Sequence, residues 1–273
     1  MLLTVDVGNS QTVLATFDGD RRVGSWRVTT HPRATSDEIR MLWRGLLRDV
    51  EFTGVAACST VPALLPALRR LLDSVDVPVV LIGPGVRTGV PLHVDNPREV
   101  GADRVVTALA AHELFGRGPD GSGRPVVVVD FGTSTNVDAV GPGGQFLGGA
   151  LAPGVEVSLE ALASRAAQLR SVELSVPPQA IGKNTVAALQ SGLVLGFAGL
   201  VDGLVSRISA ELVEQFAVSP VVVATGGLAP LVADSCRTVS EREPDLTVHG
   251  LRLAFERQQA APRSTAERRP ASP

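Results

Sequence analysis

The chain has 273 residues, 44% of them hydrophobic, and its 25 basic and 28 acidic side chains give a formal net charge of −3 at pH 7. That length suffices for one large or two small domains, and the charge balance lacks the basic excess typical of nucleic-acid-binding proteins. Cys58 and Cys236 are far apart, which indicates reduced thiols, and the four histidines are scattered. The chain opens directly into a strand, and no apolar run approaches the roughly 20 residues of a membrane span. We therefore expect a cytoplasmic protein that binds neither nucleic acid nor a membrane.

The first predicted element is a buried strand that ends in small polar residues. Residues 3–12 read LTVDVGNSQT, and residues 127–136 repeat the pattern as VVVDFGTSTN. Consecutive aliphatic residues are typical of a strand that is covered on both faces. The two copies lie about half of the chain apart, and a motif repeated in this way predicts two similar lobes that face each other.

Each copy of the repeat carries the groups that bind phosphate and its counter-ions. A glycine follows the aspartate where the backbone turns tightly, and backbone N–H groups and hydroxyls bind phosphate oxygens, whereas a carboxylate suits a cation or its waters. Turn residues follow at 17–20 and 141–144, so both copies are predicted to be strand–phosphate loop–strand hairpins. A strand end with a capping aspartate explains one copy equally well, but two copies at matching places favour phosphate loops.

Helices and boundaries follow from periodicity and breaker residues. Helices are predicted near 35–49, 62–73 and 99–115, and the glycines and proline of 116–123 indicate a linker. The tail lacks apolar periodicity and is predicted to be disordered. The predicted organisation is a first lobe at 1–117, a second lobe at 118–257 and a tail at 258–273.

Four glycines share one narrow face of a predicted helix between Asn184 and Phe216. Each costs a helix roughly 1 kcal/mol relative to alanine, so another backbone should approach them closely. We expect a helix of the same chain there, with a dimer partner as the alternative. The stripe consists of Gly192, Gly196, Gly199 and Gly203.

A third buried strand, at 221–225, runs into the turn Gly226-Gly227. Taken alone, such a strand usually ends in nothing more than a tight turn, but bare backbone also lets an adenine or ribose lie flat against it. Two acidic phosphate loops and a late Gly-Gly strand together resemble the sugar kinase–actin–Hsp70 ATPase superfamily. The resemblance implies an α/β fold with two similar ribonuclease H-like lobes, each a mixed sheet flanked by helices, and a nucleotide cleft between them.

The segment DNPREVGADR at 95–104 narrows the resemblance. With it, the chain resembles the type III pantothenate kinases over essentially its whole globular part. The resemblance implies ATP-dependent phosphorylation of pantothenate to 4′-phosphopantothenate, which is the first step of coenzyme A biosynthesis. Further matching segments are 25–27, 35–38, 147–154, 181–185, 191–192 and 225–228.

The family resemblance assigns substrate roles. Asp103 would be the general base that accepts the proton of pantothenate's primary hydroxyl, which fits a reaction in which the protein mainly positions groups. Arg104 would form a fork for the carboxylate of pantothenate, and Thr185 would reach pantothenate across a homodimer interface. Without the resemblance, a helix-start aspartate beside a solvated arginine explains Asp103 and Arg104. The implied substrate-binding residues are Gly101, Ala102, Asp103, Arg104 and Thr185.

The resemblance also assigns the nucleotide and cation sites. Asp130 would hold a monovalent cation, K⁺ or NH₄⁺, alongside Mg-ATP, and Asp6 would act through Mg²⁺ or its waters. The implied ATP-binding residues are Asp6, Val7, Gly8, Asn9, Ser10, Gln11, Thr12, Val13, Thr133, Gly226 and Gly227.

Two other function classes remain open. One is another enzyme on the same scaffold, such as a sugar kinase or a polyphosphate hydrolase, in which the GADR segment at 101–104 would not be expected. The other is a non-catalytic relative that acts as a transcription accessory factor, which loss of an acidic site residue would favour. The family pattern often has tyrosine where Val94 stands, so an aromatic substrate contact from that position is not expected.

Overall fold

The computed structural model describes residues 1–48, 50–118, 120–165 and 172–260, and contains two five-stranded mixed sheets. Sheet A has the order β3-β2-β1-β4-β5, with β1 antiparallel to β2 and parallel to β4. Its central strand is buried, with Leu3, Val5 and Val7 on one face and Thr4 on the other. The strands are β1 (Leu2–Val7), β2 (Gln11–Asp18), β3 (Arg21–Thr29), β4 (Gly54–Ser59) and β5 (Val79–Ile82).

Sheet B repeats the arrangement of sheet A. Its order is β10-β9-β6-β7-β8, with β6 antiparallel to β7 and parallel to β9. Both predicted hairpins are therefore confirmed, as is the two-lobed α/β class with mixed sheets. The strands are β6 (Val126–Phe131), β7 (Ser134–Val140), β8 (Phe146–Pro153), β9 (Val221–Thr225) and β10 (Glu241–Arg242).

The predicted helices of the first half are present but shorter. Helix α1 spans Ser36–Leu46, and Thr35 is its N-cap in a capping box with Glu38. Helix α2 spans Leu65–Leu72, and α3 spans Ala102–Phe115 after a short 3₁₀ turn at Pro97–Glu99.

Helices α3 and α8 (Leu246–Ala260) form a layer between the two sheets. One side of α3 packs against β4 through Val106 and Leu109, and its other side packs against β6 through Ala108 and Ala111. Gly250 allows α8 to approach α3, because a Cβ at that position would collide with the carbonyl oxygen of Val106. Helix α8 thus also covers the sheet of the first half.

The remaining helices belong to the second half. Helix α5 (Thr185–Gln190) continues through a π-helical turn at Ser191–Leu195 into α6 (Gly196–Phe216). Helix α4 spans Val155–Arg165, and α7 spans Ala229–Val232.

The glycine stripe (Gly192, Gly196, Gly199 and Gly203) is exposed, and a Cβ built on any of the four would meet no atom within 4 Å. The prediction that a helix of the same chain packs on the stripe is therefore wrong for the described residues. The reason is that α6 buries the opposite face, where Phe197, Val201 and Val205 lie in the core of sheet B.

The continuous helix Thr185–Phe216 is long and apolar enough to cross a membrane by length and composition alone. Counting uninterrupted apolar runs overlooked it, because glycine and serine interrupt the run without making it polar. Only 28% of its most apolar window is buried within the chain, so its outer face is open.

Two predicted boundaries lie partly outside the described residues. Helix α8 continues to Ala260, so residues 258–260 are helical and not part of a tail, while 261–273 are not described. The predicted linker forms a turn in which Arg117 and Gly123 pair, and Pro119 within it is not described.

Candidate active site

Three aspartates meet in a cleft of about 320 Å³ between the lobes. Asp6 lies near the end of β1 and Asp130 near the end of β6, the equivalent positions of the two repeats. Asp103 reaches the same cleft from the first turn of α3. The structure therefore brings together the three carboxylates that the sequence singled out.

The pKa values of the two strand-end carboxylates are raised, mainly by burial. Burial and then the charge of Asp103 raise the pKa of Asp6 to about 7, although a hydrogen bond from the Cys58 thiol at 3.3 Å and the charge of Arg27 oppose the shift. Burial, followed by the charges of Asp103 and Asp6, likewise raises the pKa of Asp130 to about 7. This excess of negative charge is the environment that a bound cation relieves.

Asp103 stands at the start of α3, where Gly101 is the N-cap. Burial raises the pKa of Asp103 above its usual range, and hydrogen bonding and charge from Arg104 only partly oppose the shift. A Cβ at position 101 would collide with the Asp103 carboxylate. Glycine at this position therefore leaves space for the carboxylate. Gly101 and Ala102 themselves do not line the cleft.

The first predicted phosphate loop is one residue longer than the second and closes on a different backbone hydrogen bond. Gly8 N donates to Gln11 O at 3.0 Å in the first loop, and Gly132 N donates to Ser134 O at 2.9 Å in the second. The hydroxyls of Ser10 and Thr133 form a 2.8 Å hydrogen bond across the cleft. Each loop thus presents small polar groups to the same space between the lobes.

Most residues of the first predicted phosphate loop line the cleft, but two side chains point elsewhere. Val7 is buried in the core of sheet A, and the Thr12 hydroxyl is hydrogen-bonded to that of Thr30 at 2.8 Å. Period-two alternation turns them away from the cleft, so only their backbone is available to a nucleotide. Asp6, Gly8, Asn9, Ser10, Gln11 and Val13 line the cleft.

The Gly-Gly turn lies beside the second aspartate. Gly226 has φ of +93°, and a Cβ there would collide with the Asp130 carboxylate and the Phe131 carbonyl oxygen. Gly226 and Gly227 both line the cleft. Glycine is therefore required at position 226 for conformation and for space.

Arg104 lies beside the cleft and is held by a partner that the sequence did not suggest. Its Nε and Nη2 donate to the two carboxylate oxygens of Asp138 at 3.1 and 2.5 Å. Its guanidinium carbon is 5.1 Å from the ring centroid of Phe146. Burial lowers the pKa of Arg104, but Asp138 outweighs this effect and raises it. The guanidinium is thus fixed in orientation.

Thr185 lies away from the three aspartates. It begins α5, where Asn184 caps the helix, and it lines a separate open depression with Gly182 and Lys183. Within one chain the structure does not bring Thr185 to the cleft.

Sequence reasoning missed several cleft residues, and Arg27 and Asn136 are two of them. Arg27 was recognised only as part of the matching segment 25–27, and Asn136 only as the last residue of the second repeat. Asn136 is 6% exposed and pairs with Asp130 across β6 and β7, and its Oδ1 has no hydrogen-bond partner. Alternation from Asp130 through the hairpin could have placed Asn136 in the cleft.

The cleft fits oxygen-binding cations. Its acidic and amide side chains supply oxygen donors, which Mg²⁺ and K⁺ prefer over nitrogen or sulfur. Across the described part of the chain, no three His, Cys, Asp or Glu residues are close enough to form a metal site on their own. A cation at Asp6 or Asp130 would therefore take its other ligands from phosphate oxygens, water, or neutral groups such as Asn136.

Comparison with known structures supports the fold. A Campylobacter jejuni structure whose name places it in the Baf family of transcriptional activators aligns with a TM-score of 0.58 at 16% identity, covering 94% of this chain and 98% of that one. A ROK family glucokinase from Streptomyces griseus, solved with glucose and AMPPNP, aligns with a TM-score of 0.50 at 14% identity, covering 91% and 97%. At such identities the likeness is one of fold.

Comparison with sequences supports the family. The family model described as type III pantothenate kinase matches residues 2–207. The type III pantothenate kinase of Parafrankia sp. (strain EAN1pec) is 56% identical over 259 residues, covering 94% of this chain and 98% of the relative. That of Frankia alni is also 56% identical over 259 residues, covering 94% and 99%. With the three aspartates placed in one cleft, these matches show that the chain belongs to the type III pantothenate kinase family.

Proposed function

We propose that this protein transfers the γ-phosphoryl group of ATP to the primary hydroxyl of pantothenate, giving 4′-phosphopantothenate and ADP. The observation that carries the proposal is the convergence of Asp103 with the two phosphate loops in one cleft. Phosphoryl transfer needs a positioned hydroxyl and a site that neutralises phosphate charge, and this cleft offers groups for both. The product would enter coenzyme A biosynthesis.

Asp103 accepts the proton of the attacking hydroxyl in this proposal. Its carboxylate faces the cleft from the first turn of α3, and burial raises its pKa. A higher pKa makes the carboxylate a stronger base, and a general base works best when its pKa lies near the working pH.

Arg104 binds the carboxylate of pantothenate in this proposal. Its Nη1 makes no hydrogen bond among the described residues, while Nε and Nη2 are occupied by Asp138. The free edge of the fork can thus donate to a substrate carboxylate. Gly101 and Ala102 shape the approach in this proposal, because they lie directly before Asp103 and Arg104 at the start of α3.

The loops bind ATP and its cations in this proposal. Residues 6–13, together with Thr133, contact the phosphates, and Gly226-Gly227 lies against the adenosine. Asp6 holds Mg²⁺, directly or through water, and Asp130 holds K⁺ or NH₄⁺. Bound cations supply positive charge to the phosphates during transfer.

A homodimer is part of the proposal. The glycine stripe and nearby exposed residues, among them Val186 and Val213, leave the outer face of α5–α6 open. Small residues allow two helices to approach closely, and a second copy would cover this apolar face. The partner's α5 would then bring Thr185 to the substrate. We expect a cytoplasmic enzyme with no nucleic-acid or membrane partner.

Gly199→Glu tests the dimer. A buried charge would oppose association, so we expect monomers in sedimentation velocity and loss of pantothenate turnover. Gly45→Glu is the matched control, since Gly45 is an exposed helical glycine with no atom within 4 Å of a built Cβ. Dimers that persist in Gly199→Glu would contradict this interface.

The activity test measures ADP release with Mg-ATP, with and without pantothenate, in potassium and then in sodium buffer. We expect turnover that depends on pantothenate and on potassium and falls at least 100-fold in Asp103→Asn. Silence of the wild type at high ATP and pantothenate would contradict the kinase and favour an accessory role in transcription. Turnover with a sugar in place of pantothenate would favour the other kinase class.

A further inference from the structure

The cleft that binds ATP is strongly acidic and contains little positive charge of its own. Asp6, Asp103, Asp130, Glu156 and Asp245 all line it, and the triphosphate adds further negative charge. Arg104 cannot balance this charge fully, because Asp138 neutralises it. Either another basic side chain faces the phosphates, or bound metal cations alone neutralise the phosphate charge.

Arg27 is the one arginine or lysine that lines the cleft in the part of the chain that the structure describes. It lies on β3, opposite Val13 of β2, and its Nη1 donates to Oε1 of Gln11 at 2.9 Å. This partner is neutral, and Arg27 takes part in none of the ion pairs among the described residues. Its charge is therefore not compensated by a carboxylate in direct contact.

The Arg27 guanidinium also reaches the opposite lobe. A Cβ built on Gly227 would lie 2.7 Å from Nη1 of Arg27, so the guanidinium packs on bare backbone of the Gly-Gly turn. Gln11 belongs to the first phosphate loop, and Gly227 follows β9 in sheet B. Arg27 thus spans the mouth of the cleft between the first loop and the adenosine side.

We propose that Arg27 is a catalytic residue that donates to the phosphate oxygens of ATP from the β3 side of the cleft. The proposal rests on the kinase activity of the family. Guanidinium has five N–H donors in a planar fork that suits phosphate, and the hydrogen bond to Gln11 uses only one nitrogen. The remaining donors neutralise the charge that spreads over the phosphoryl group during transfer.

The test compares Arg27→Gln and Arg27→Lys with wild type in the full-length protein. We expect kcat/KM for ATP to fall about 100-fold in Arg27→Gln, as for loss of one preorganised donor to a developing oxyanion. Arg27→Lys should recover part of the loss, since it keeps the charge but not the fork. Arg21→Gln is the matched control on the same strand. Arg21 is exposed, and its ion pair with Asp18 is a surface pair with a distance of 3.9 Å.

Calorimetry with ATP and with adenosine separates phosphate contact from a structural role. We expect Arg27→Gln to weaken ATP binding at least tenfold and adenosine binding less than twofold. Equal weakening of both ligands would overturn the proposal, because Arg27 would then act on the Gly-Gly turn alone. So would a kcat/KM for ATP within twofold of wild type. Wild-type protein that binds ATP but does not phosphorylate pantothenate would contradict the proposed substrate and leave the ATP-binding comparison intact.

Discussion

Asp138 fixes the orientation of the Arg104 guanidinium. The side chains of both are largely buried, at 16% and 6% exposure, and they form two hydrogen bonds along one edge of the guanidinium. Together with the ring of Phe146, these contacts leave only one edge of Arg104 available. Asp138 therefore acts as a positioning residue, since it is the charge that holds Arg104.

Asp138→Asn should raise KM for pantothenate about 10- to 100-fold, with a smaller change in kcat. The range corresponds to loss of a charge-assisted hydrogen bond. Pantothenol, the neutral alcohol analogue, lacks the carboxylate, so its KM should change little. Asp234→Asn removes a carboxylate from an exposed pair with Arg242 and is the control. Equal increases for both substrates would mean that Asp138 supports the fold and not the fork.

Asp130 makes the stability of the cation-free protein depend on pH. Its pKa rises from 3.8 to about 7 in the folded chain, so the folded state binds the proton more tightly than the unfolded state. The resulting stabilisation is fully present below pH 3.8 and is lost as pH rises to about 7.

Asp130→Asn should therefore raise Tm in chelator and choline buffer, and more at pH 8 than at pH 5. Asparagine keeps the shape but cannot ionise. Asp18→Asn, at the exposed end of β2, controls for net charge. An equal gain in Tm at both pH values would contradict the raised pKa.

At the scale of elements, the contact between α3 and α8 depends on one glycine. A Cβ at Gly250 would fall 1.9 Å from the carbonyl oxygen of Val106, which is backbone and cannot rotate away. The hydroxyls of Thr107 and Thr247 add a 2.8 Å hydrogen bond between the same helices. The two helices must separate to admit even a methyl group.

Gly250→Ala should destabilise the protein by about 1–3 kcal/mol in urea unfolding, the usual cost of overpacking. Gly45→Ala in α1 is the matched control, because a Cβ there meets no atom within 4 Å. That substitution should stabilise the protein by about 0.5–1 kcal/mol, since alanine favours the helix. A neutral Gly250→Ala would contradict the close approach of α3 and α8.

The elements that the sequence predicted are those with local signals. The repeated strand ends gave Asp6 and Asp130, and family segments gave Asp103. Asp138 and Arg27 were not assigned these contacts because their partners lie on other elements, Arg104 on α3 and Gly227 after β9. The spacing of the glycine stripe predicted a shared helix face but not its packing partner, because periodicity specifies a face and not what packs on it.

At the scale of the whole molecule, the repeat and the packing divide the chain differently. The repeat predicts two lobes that could unfold separately, with boundaries near residues 117 and 257. Helix α3 of the first half, however, packs on sheet B, and α8 from the end of the chain packs with sheet A. One face of each sheet is therefore covered by residues of both helices.

We therefore expect the described fold to unfold in one cooperative transition. The two tryptophans, Trp26 and Trp43, both lie in the first half, so their fluorescence reports on sheet A and its helices, whereas far-UV circular dichroism reports on the whole chain. The two probes should give the same midpoint and the same slope in urea, because a two-state transition has no separately unfolded lobe. Gly250→Ala should shift both midpoints together, since the shared layer of α3 and α8 couples the sheets. A fluorescence transition that precedes the dichroism transition would mean that the lobes unfold as independent units despite this layer.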